Sequence, residues 1–261
     1  MSAKNKVNYD EIAADYELRY QEERRQGTLE ALRGLLSDEN PRRVLEIGCG
    51  TCHWLKGLRA IAPSAILIGV DPSRGMLTRA INSESILLSQ GKAEVIPCMN
   101  NAIDLVYCVN ALHHFIDKRA FIHEAFRILA PGGLLAMIGM DPRDSRNQWY
   151  IYDFFDGTRI RDLERFPAWF EVEGWLLNTG FNHLNRTDVE FIHDPKTKHT
   201  VLSDPFLRKT ACSQLALLSE KEYQRGVKKI RKDIEKNQND ARTIYHNDIV
   251  LSMQIARKGS G

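Results

Sequence analysis

The sequence predicts an α/β fold: a mostly parallel sheet with helices on both faces. Three observations lead there. Short runs rich in Val, Ile and Leu alternate with helical stretches, which implies parallel pairing with both sheet faces covered. Two glycines, Gly48 and Gly50, follow the first such run directly. Acidic residues, Glu46 and Asp71, stand at the ends of the first two runs, and parallel sheets bind ligands beyond the carboxyl ends of their strands.

The length of 261 residues suits one large α/β domain, or one domain with a cap. Hydrophobic residues at 43% and charged residues at 27% are enough for an ordinary core. The net charge of only +2 gives no reason to expect nucleic acid or an anionic membrane as a partner. No apolar run approaches the roughly 18 residues of a spanning helix. The opening MSAKNKVNYDEIAADYE turns acidic where a signal peptide is apolar, so a cytoplasmic location is expected. Five cysteines, an odd number, read as reduced thiols.

Asn8 and Glu11 form a capping box that opens a helix over 8–20, with Ile12, Tyr16 and Tyr20 as a stripe. A second helix is expected at about 21–36, with Leu29, Leu32, Leu35 and Leu36 on one side, before a polar break containing Pro41. Val44 to Ile47 is the first strand, and a helix from about His53 to Ile61 follows the glycine turn. Ala65 to Val70 is the second strand, ending at Asp71, and Ser73 can cap a helix carrying Met76, Leu77, Ala80 and Ile81. Ser85 to Ser89 and Ile103 to Val109 make strands three and four. Asp117 opens a helix with Phe121, Ile122, Ala125, Ile128 and Leu129 inward, expected to stop at Pro131-Gly132-Gly133 before a fifth strand, Leu134 to Met140. Aromatic segments follow at 149–155 and 167–177. DVEFI (188–192) is a sixth strand, Ser219-x-x-Glu222 caps another helix, and Asp248 to Ala256 closes as a seventh strand. The basic face of the helix after Ser219 reads as solvated.

Two glycines at i and i+2 after a buried strand let the backbone turn sharply and approach a ligand closely. The string Cys49-Gly50-Thr51-Cys52-His53 also matches the C-x-x-C-H haem pattern, but that attachment needs export, and no export signal is present. Zinc would need a second Cys/His pair at matching spacing, so no metal is expected. A dinucleotide fingerprint would put a third glycine where His53 stands. Glu46 instead suits a cationic group, and a carboxylate at Asp71 can accept from both hydroxyls of a ribose.

With YDEIAADYE, VLEIGCGT, GVDPSRGML, DLVYCVNALHHF and RILAPGGLLAM, roughly residues 7–140 resemble the class I S-adenosylmethionine (SAM) dependent methyltransferases, in the branch that includes quinone-biosynthesis enzymes. The resemblance implies a Rossmann-like seven-stranded sheet with an N-terminal helical segment and helical, aromatic cap insertions after strands five and six. It implies a helical lid at 1–40, a SAM-binding core at 41–142, cap insertions with core elements at 143–240, and a closing strand at 241–261. It implies SAM as cofactor, leaving S-adenosylhomocysteine, with Glu46 and Gly48, Cys49 and Gly50 at the methionine moiety. Asp71, with Pro72 beside it, would bind the ribose and Met76 would lie near the adenine. Asn110 would begin the segment facing the sulfonium, and Tyr16 would help to close the site.

Two departures stand out. Cys52 occupies the position of a third glycine, and QGKAE (90–94) aligns with a stretch that commonly reads G-D-A-E. Lys92 offers no acceptor to the adenine amino group, so either the backbone at Ala93 and Glu94 or the Glu94 side chain takes over. His113 and His114 follow strand four, where one could act as general base or could simply pack. Trp149, Tyr150 and Tyr152, with Arg143, are the candidate substrate contacts, though aromatic stripes are more often core. The expected function is methyl transfer to a small molecule, aromatic or apolar, at O or C. Its rivals are a non-catalytic SAM-binding regulatory module and an NAD-dependent oxidoreductase. Acceptor identity and oligomeric state are not legible in the sequence.

Overall fold

A computed structural model of the chain describes residues 9–10, 26–80, 85–240 and 242–260. The expected helix over 8–20, and with it Tyr16, lies outside the described residues apart from Tyr9 and Asp10. The chain divides into two compact units, one holding residues 25–141, 167–190 and 251–261, the other 1–24, 142–166 and 191–250.

In the first unit, helix α1 (Gln26–Glu39) buries Leu32, Leu35 and Leu36. It ends where Asn40 turns left-handed at φ 43° and donates its N–H to the Leu36 carbonyl, a conformation asparagine tolerates. Strand β1 (Arg43–Ile47), helix α2 (His53–Arg59), strand β2 (Ile66–Asp71) and helix α3 (Arg74–Ala80) follow. Ser73 caps α3 as expected, its Oγ accepting the Met76 N–H at 3.1 Å. Then come β3 (Ile86–Gln90), β4 (Ile103–Val109), helix α4 (Lys118–Ile128) and β5 (Leu129–Gly139). Asp117 opens α4 by accepting from the Arg119 and Ala120 N–H groups at 3.0 Å each. Helix α5 (Trp169–Thr179) and the strands β6 (Phe181–His193) and β7 (Asn247–Lys258), whose residues 191–193 and 247–250 are counted in the second unit, complete the principal elements.

The sheet runs β3-β2-β1-β4-β5-β7, with β6 and a two-residue strand, Gln148–Trp149, also paired to β7, which makes eight strands among the described residues where seven were expected. All pairs from β3 to β5 are parallel, and β7 lies antiparallel to β5 over Ser252–Arg257. This is the expected mostly parallel α/β sheet. Val, Ile and Leu side chains of β1, β4 and β5 pack with Phe121, Ile122 and Ile128 of α4 and Val172 and Leu176 of α5 in one buried cluster. The chain order reverses between β1 and β4, whose following segments therefore leave in opposite directions and open a crevice at their carboxyl ends.

The expected break at Pro131-Gly132-Gly133 is corrected. The helix ends at Ile128, and β5 begins at Leu129. Ile103 pairs with Leu129 but Leu105 pairs with Leu134, so residues 130–133 form a bulge inside the strand. Leu129 is fully buried, and its burial draws the chain into the sheet before the proline; a bulge is one of the few strand positions where proline costs no ladder bond.

The second unit has its own core of Trp149, Tyr150, Phe155, Leu215, Leu218, Ile230 and Tyr245. Its longest helix, Glu220–Lys236, opens on the expected capping box of Ser219 and Glu222. Gly226 in that helix lies flat against Phe155, whose ring would sit 2.2 Å from any added Cβ. Among the described residues no helix is long and apolar enough to cross a membrane. No group of three or more His, Cys, Asp or Glu among them could hold a metal ion.

Candidate active site

The crevice is built first by the backbone. Gly48 and Gly50 adopt φ of 72° and 53°, and Cys52 follows at 63°, three left-handed residues at alternate positions. Glycine accepts this freely; Cys52, at the third-glycine position, holds it at a cost of about 1–2 kcal/mol. The Gly48 and Cys49 N–H groups both donate to the Val70 carbonyl, at 2.8 and 3.2 Å, so the turn is fastened to β2. A Cβ on Gly48 would lie 2.7 Å from Cβ of Ala111, which brings the segments after β1 and β4 into direct contact.

Asp71 ties this turn to the next. Its Oδ2 accepts the Gly50 N–H at 2.9 Å and its Oδ1 accepts the Ser73 N–H at 2.8 Å, with the residue 8% exposed. The acid ending one strand and the glycine turn ending its neighbour are thus one hydrogen-bonded assembly. Pro72 beside it is exposed and Met76 is buried. Asn110 follows β4 in a left-handed conformation at φ 49°, its N–H on the Ile138 carbonyl at 2.8 Å. His113 and His114 sit in a 3-10 turn (Leu112–His114), half-buried, their ring centroids 3.9 Å apart.

Glu46, expected at the methionine moiety, has a neighbour within the sheet. It is 1% exposed, and the Tyr107 hydroxyl donates to its Oε2 at 3.1 Å. The β1–β4 register places the two residues side by side. Burial holds the Glu46 carboxyl well above the usual range, the neighbouring Cys52 adds to that, and the Tyr107 hydrogen bond opposes it. Such a group is protonated in both folded and unfolded chains below about pH 4. As pH rises, the unfolded chain loses the proton first, so this residue's contribution to stability falls until the raised folded pKa is passed. Glu46→Gln removes the ionisation and keeps an acceptor for Tyr107. We expect the melting temperature of the wild type to fall relative to Glu46→Gln as pH rises from the ordinary carboxylate value of about 4.3 towards the raised folded pKa. Parallel curves would show that Glu46 stays ionised in the fold.

Tyr107 is the partner of Glu46 that the sequence expectations do not include. Its signal was a hydroxyl-bearing residue in the apolar run IDLVYCV, on a strand that must lie beside the one carrying Glu46. In the segment after β3, Ala93 is buried, Lys92 is exposed, and Glu94 Oε1 accepts the Ile116 and Asp117 N–H groups at 2.7 and 3.2 Å. Glu94 therefore braces the start of α4.

The four candidate substrate residues belong to the second unit. Tyr150 is fully buried, its hydroxyl donating to Asp204 at 2.8 Å, and Trp149 packs edge-on against Tyr152. Tyr152 donates to Asp162 at 2.7 Å, and Arg143 donates to the Leu163 and Phe166 carbonyls at 2.6 and 2.9 Å. Each makes contacts that hold that unit together.

A family model described as a methyltransferase domain matches residues 45–137. A malonyl-(acyl-carrier protein) O-methyltransferase of Methylococcus capsulatus is 31% identical over 218 residues, covering 82% of this chain and 70% of that protein. A second enzyme of that name, from Hahella chejuensis, is 31% identical over 137 residues, covering 51% of this chain and 48% of its own. The chain thus spans about half the length of several of the curated relatives that it matches, 48–54% for four of them. Among solved structures, a putative methyltransferase from an antibiotic biosynthesis pathway of Anabaena variabilis superposes with a TM-score of 0.67 at 19% identity, covering 87% of this chain and 95% of that one. At that identity the likeness speaks for the fold.

Proposed function

The chain belongs to the class I SAM-dependent methyltransferases, and from that premise we propose that it methylates a small molecule, aromatic or apolar, at oxygen or carbon. The observation that carries the reading is the assembly of the Gly48–Gly50 turn with Asp71 at the sheet's reversal point. These residues fit SAM: a backbone free of Cβ bulk stands where the methionine moiety would lie, and a buried carboxylate on the adjacent strand suits a ribose. Met76 and the backbone about Ala93 would flank the adenine, and Asn110 the sulfonium. Because Glu94 is engaged with α4, backbone groups rather than its side chain are the acceptors we assign to the adenine amino group.

SAM supplies a methyl group already activated on a sulfonium. What remains for the chain is to align the acceptor and exclude water, and proximity and orientation alone lower a barrier by on the order of 7–11 kcal/mol. A base is required only where the acceptor must lose a proton, and His113 or His114 is the group positioned after β4 to take it. The relatives named as O-methyltransferases favour oxygen as the acceptor atom.

The direct test incubates the full chain with methyl-labelled SAM and panels of carboxylates, phenols and quinols. Label in a product of one panel, bound to oxygen or carbon, is expected. SAM binding with no label in any product would point instead to a binding module. At the adenine end, Lys92→Asp is expected to leave SAM affinity unchanged or to raise it up to about tenfold, the worth of one good hydrogen bond. A calorimetric titration showing weaker binding would assign Lys92 a direct role.

A further inference from the structure

The glycine turn carries a second chemistry that methyl transfer does not use. We propose that Cys49 and Cys52 are a reversible dithiol–disulfide pair whose oxidation disables the cofactor turn, a control of that site that rests on the SAM reading above.

The geometry is in place. The Cys52 N–H donates to the Cys49 carbonyl at 2.8 Å, closing a four-residue turn. Such a turn holds its end α-carbons within about 7 Å, and disulfides span roughly 4.4–6.8 Å. The Cys49 S–H donates to the Gly50 carbonyl at 3.9 Å, inside the turn that Cys52 closes. Both carry free thiols, at 5% and 0% exposure. The neighbouring Cys49 thiol lowers the Cys52 thiol from its ordinary range, with Lys56 in the first turn of α2 acting in the same direction, while burial opposes both.

A small hydroperoxide is the oxidant such a site would take. The Cys52 thiolate attacks one peroxide oxygen, the O–O bond breaks, and a sulfenic acid and one hydroxyl-bearing fragment result. The Cys49 sulfur then attacks the sulfenic sulfur, forming the S–S bond and expelling the oxygen as water with the thiol proton. Two thiols are oxidised by two electrons, and hydrogen peroxide is reduced to two waters. A small dithiol reverses the step by exchange.

Closure cannot leave the turn as it is. The bonded sulfurs lie about 2.05 Å apart. The Cys49 sulfur is packed on β2, 2.8 Å from where a Cβ of Gly69 would stand. Drawing it towards Cys52 moves the peptide between them, and Gly50 within that peptide is the residue Asp71 holds.

The test treats the full chain with one equivalent of hydrogen peroxide, maps disulfides by peptide mass spectrometry, and titrates SAM calorimetrically before oxidation, after it, and after dithiothreitol. A Cys49–Cys52 linkage, at least a tenfold loss of SAM affinity and recovery on reduction are expected. A variant with Cys98, Cys108 and Cys212 replaced by alanine is expected to respond in the same way. Absence of the linkage, or a linkage with unchanged affinity, would overturn the proposal. Failure of the reduced chain to bind SAM would instead overturn the cofactor-site reading, and the proposed control with it, while the peptide map still reports whether the disulfide forms.

Discussion

Replacing Asp71 by alanine is expected to lower the affinity for SAM about 100-fold or more. The carboxylate accepts from Gly50 and Ser73, which belong to different turns, and the residue is nearly inaccessible to water that could replace it. Each charge-assisted bond of this kind is worth about 1.5–3 kcal/mol, and a factor of ten in affinity costs about 1.4 kcal/mol. Those two bonds are internal to the chain and hold the shape of the turn; two further bonds from the carboxylate to the ribose hydroxyls, as proposed, account for the loss. Asp71→Asn is expected to fall between, because one of its polar atoms is an N–H group facing a backbone N–H. Calorimetric titration reads both variants, with thermal melts reporting separately on the fold. Normal SAM binding by Asp71→Ala would mean that the ribose is placed elsewhere.

Gly48→Ala is expected to destabilise the first unit by about 2–5 kcal/mol. The left-handed conformation at φ 72° costs a non-glycine residue about 1–2 kcal/mol, and the added methyl meets Cβ of Ala111 at 2.7 Å. Such overpacking adds about 1–3 kcal/mol. The turn has little room to retreat, because its N–H groups at 48 and 49 are fixed to the Val70 carbonyl. At ~2–4 °C per kcal/mol, the melting temperature should drop by ~4–20 °C. A change of less than about 2 °C would show that the segments after β1 and β4 can part without cost.

The two variants probe what the sequence could and could not disclose. Strands β1, β2 and β4 were legible because each is a largely buried run of Val, Ile and Leu bounded by a turn, and Ser73 and Asp117 announced their helices by type and position. The bulge at 130–133 was not, because proline and glycine mark an interruption without saying whether it falls between elements or within one. Glu46 illustrates the limit most clearly. Its place in the chain was readable, but the partner of its carboxylate depends on which strand lies alongside and in what register, and the β1–β4 ladder supplied Tyr107. Aromatic density around 149–155 likewise could not separate a pocket from a core. Burial of Trp149, Tyr150 and Phe155 in one cluster gives those three a packing role in the second unit.

The central claim is that the turn from Gly48 to Gly50, braced by Asp71, is a SAM site and not a dinucleotide site. Calorimetric titration of the reduced full chain with SAM, S-adenosylhomocysteine and NAD tests it most directly. Saturable binding of both sulfur compounds at one site, and none of NAD, is the predicted result. Binding of NAD without either sulfur compound would contradict it.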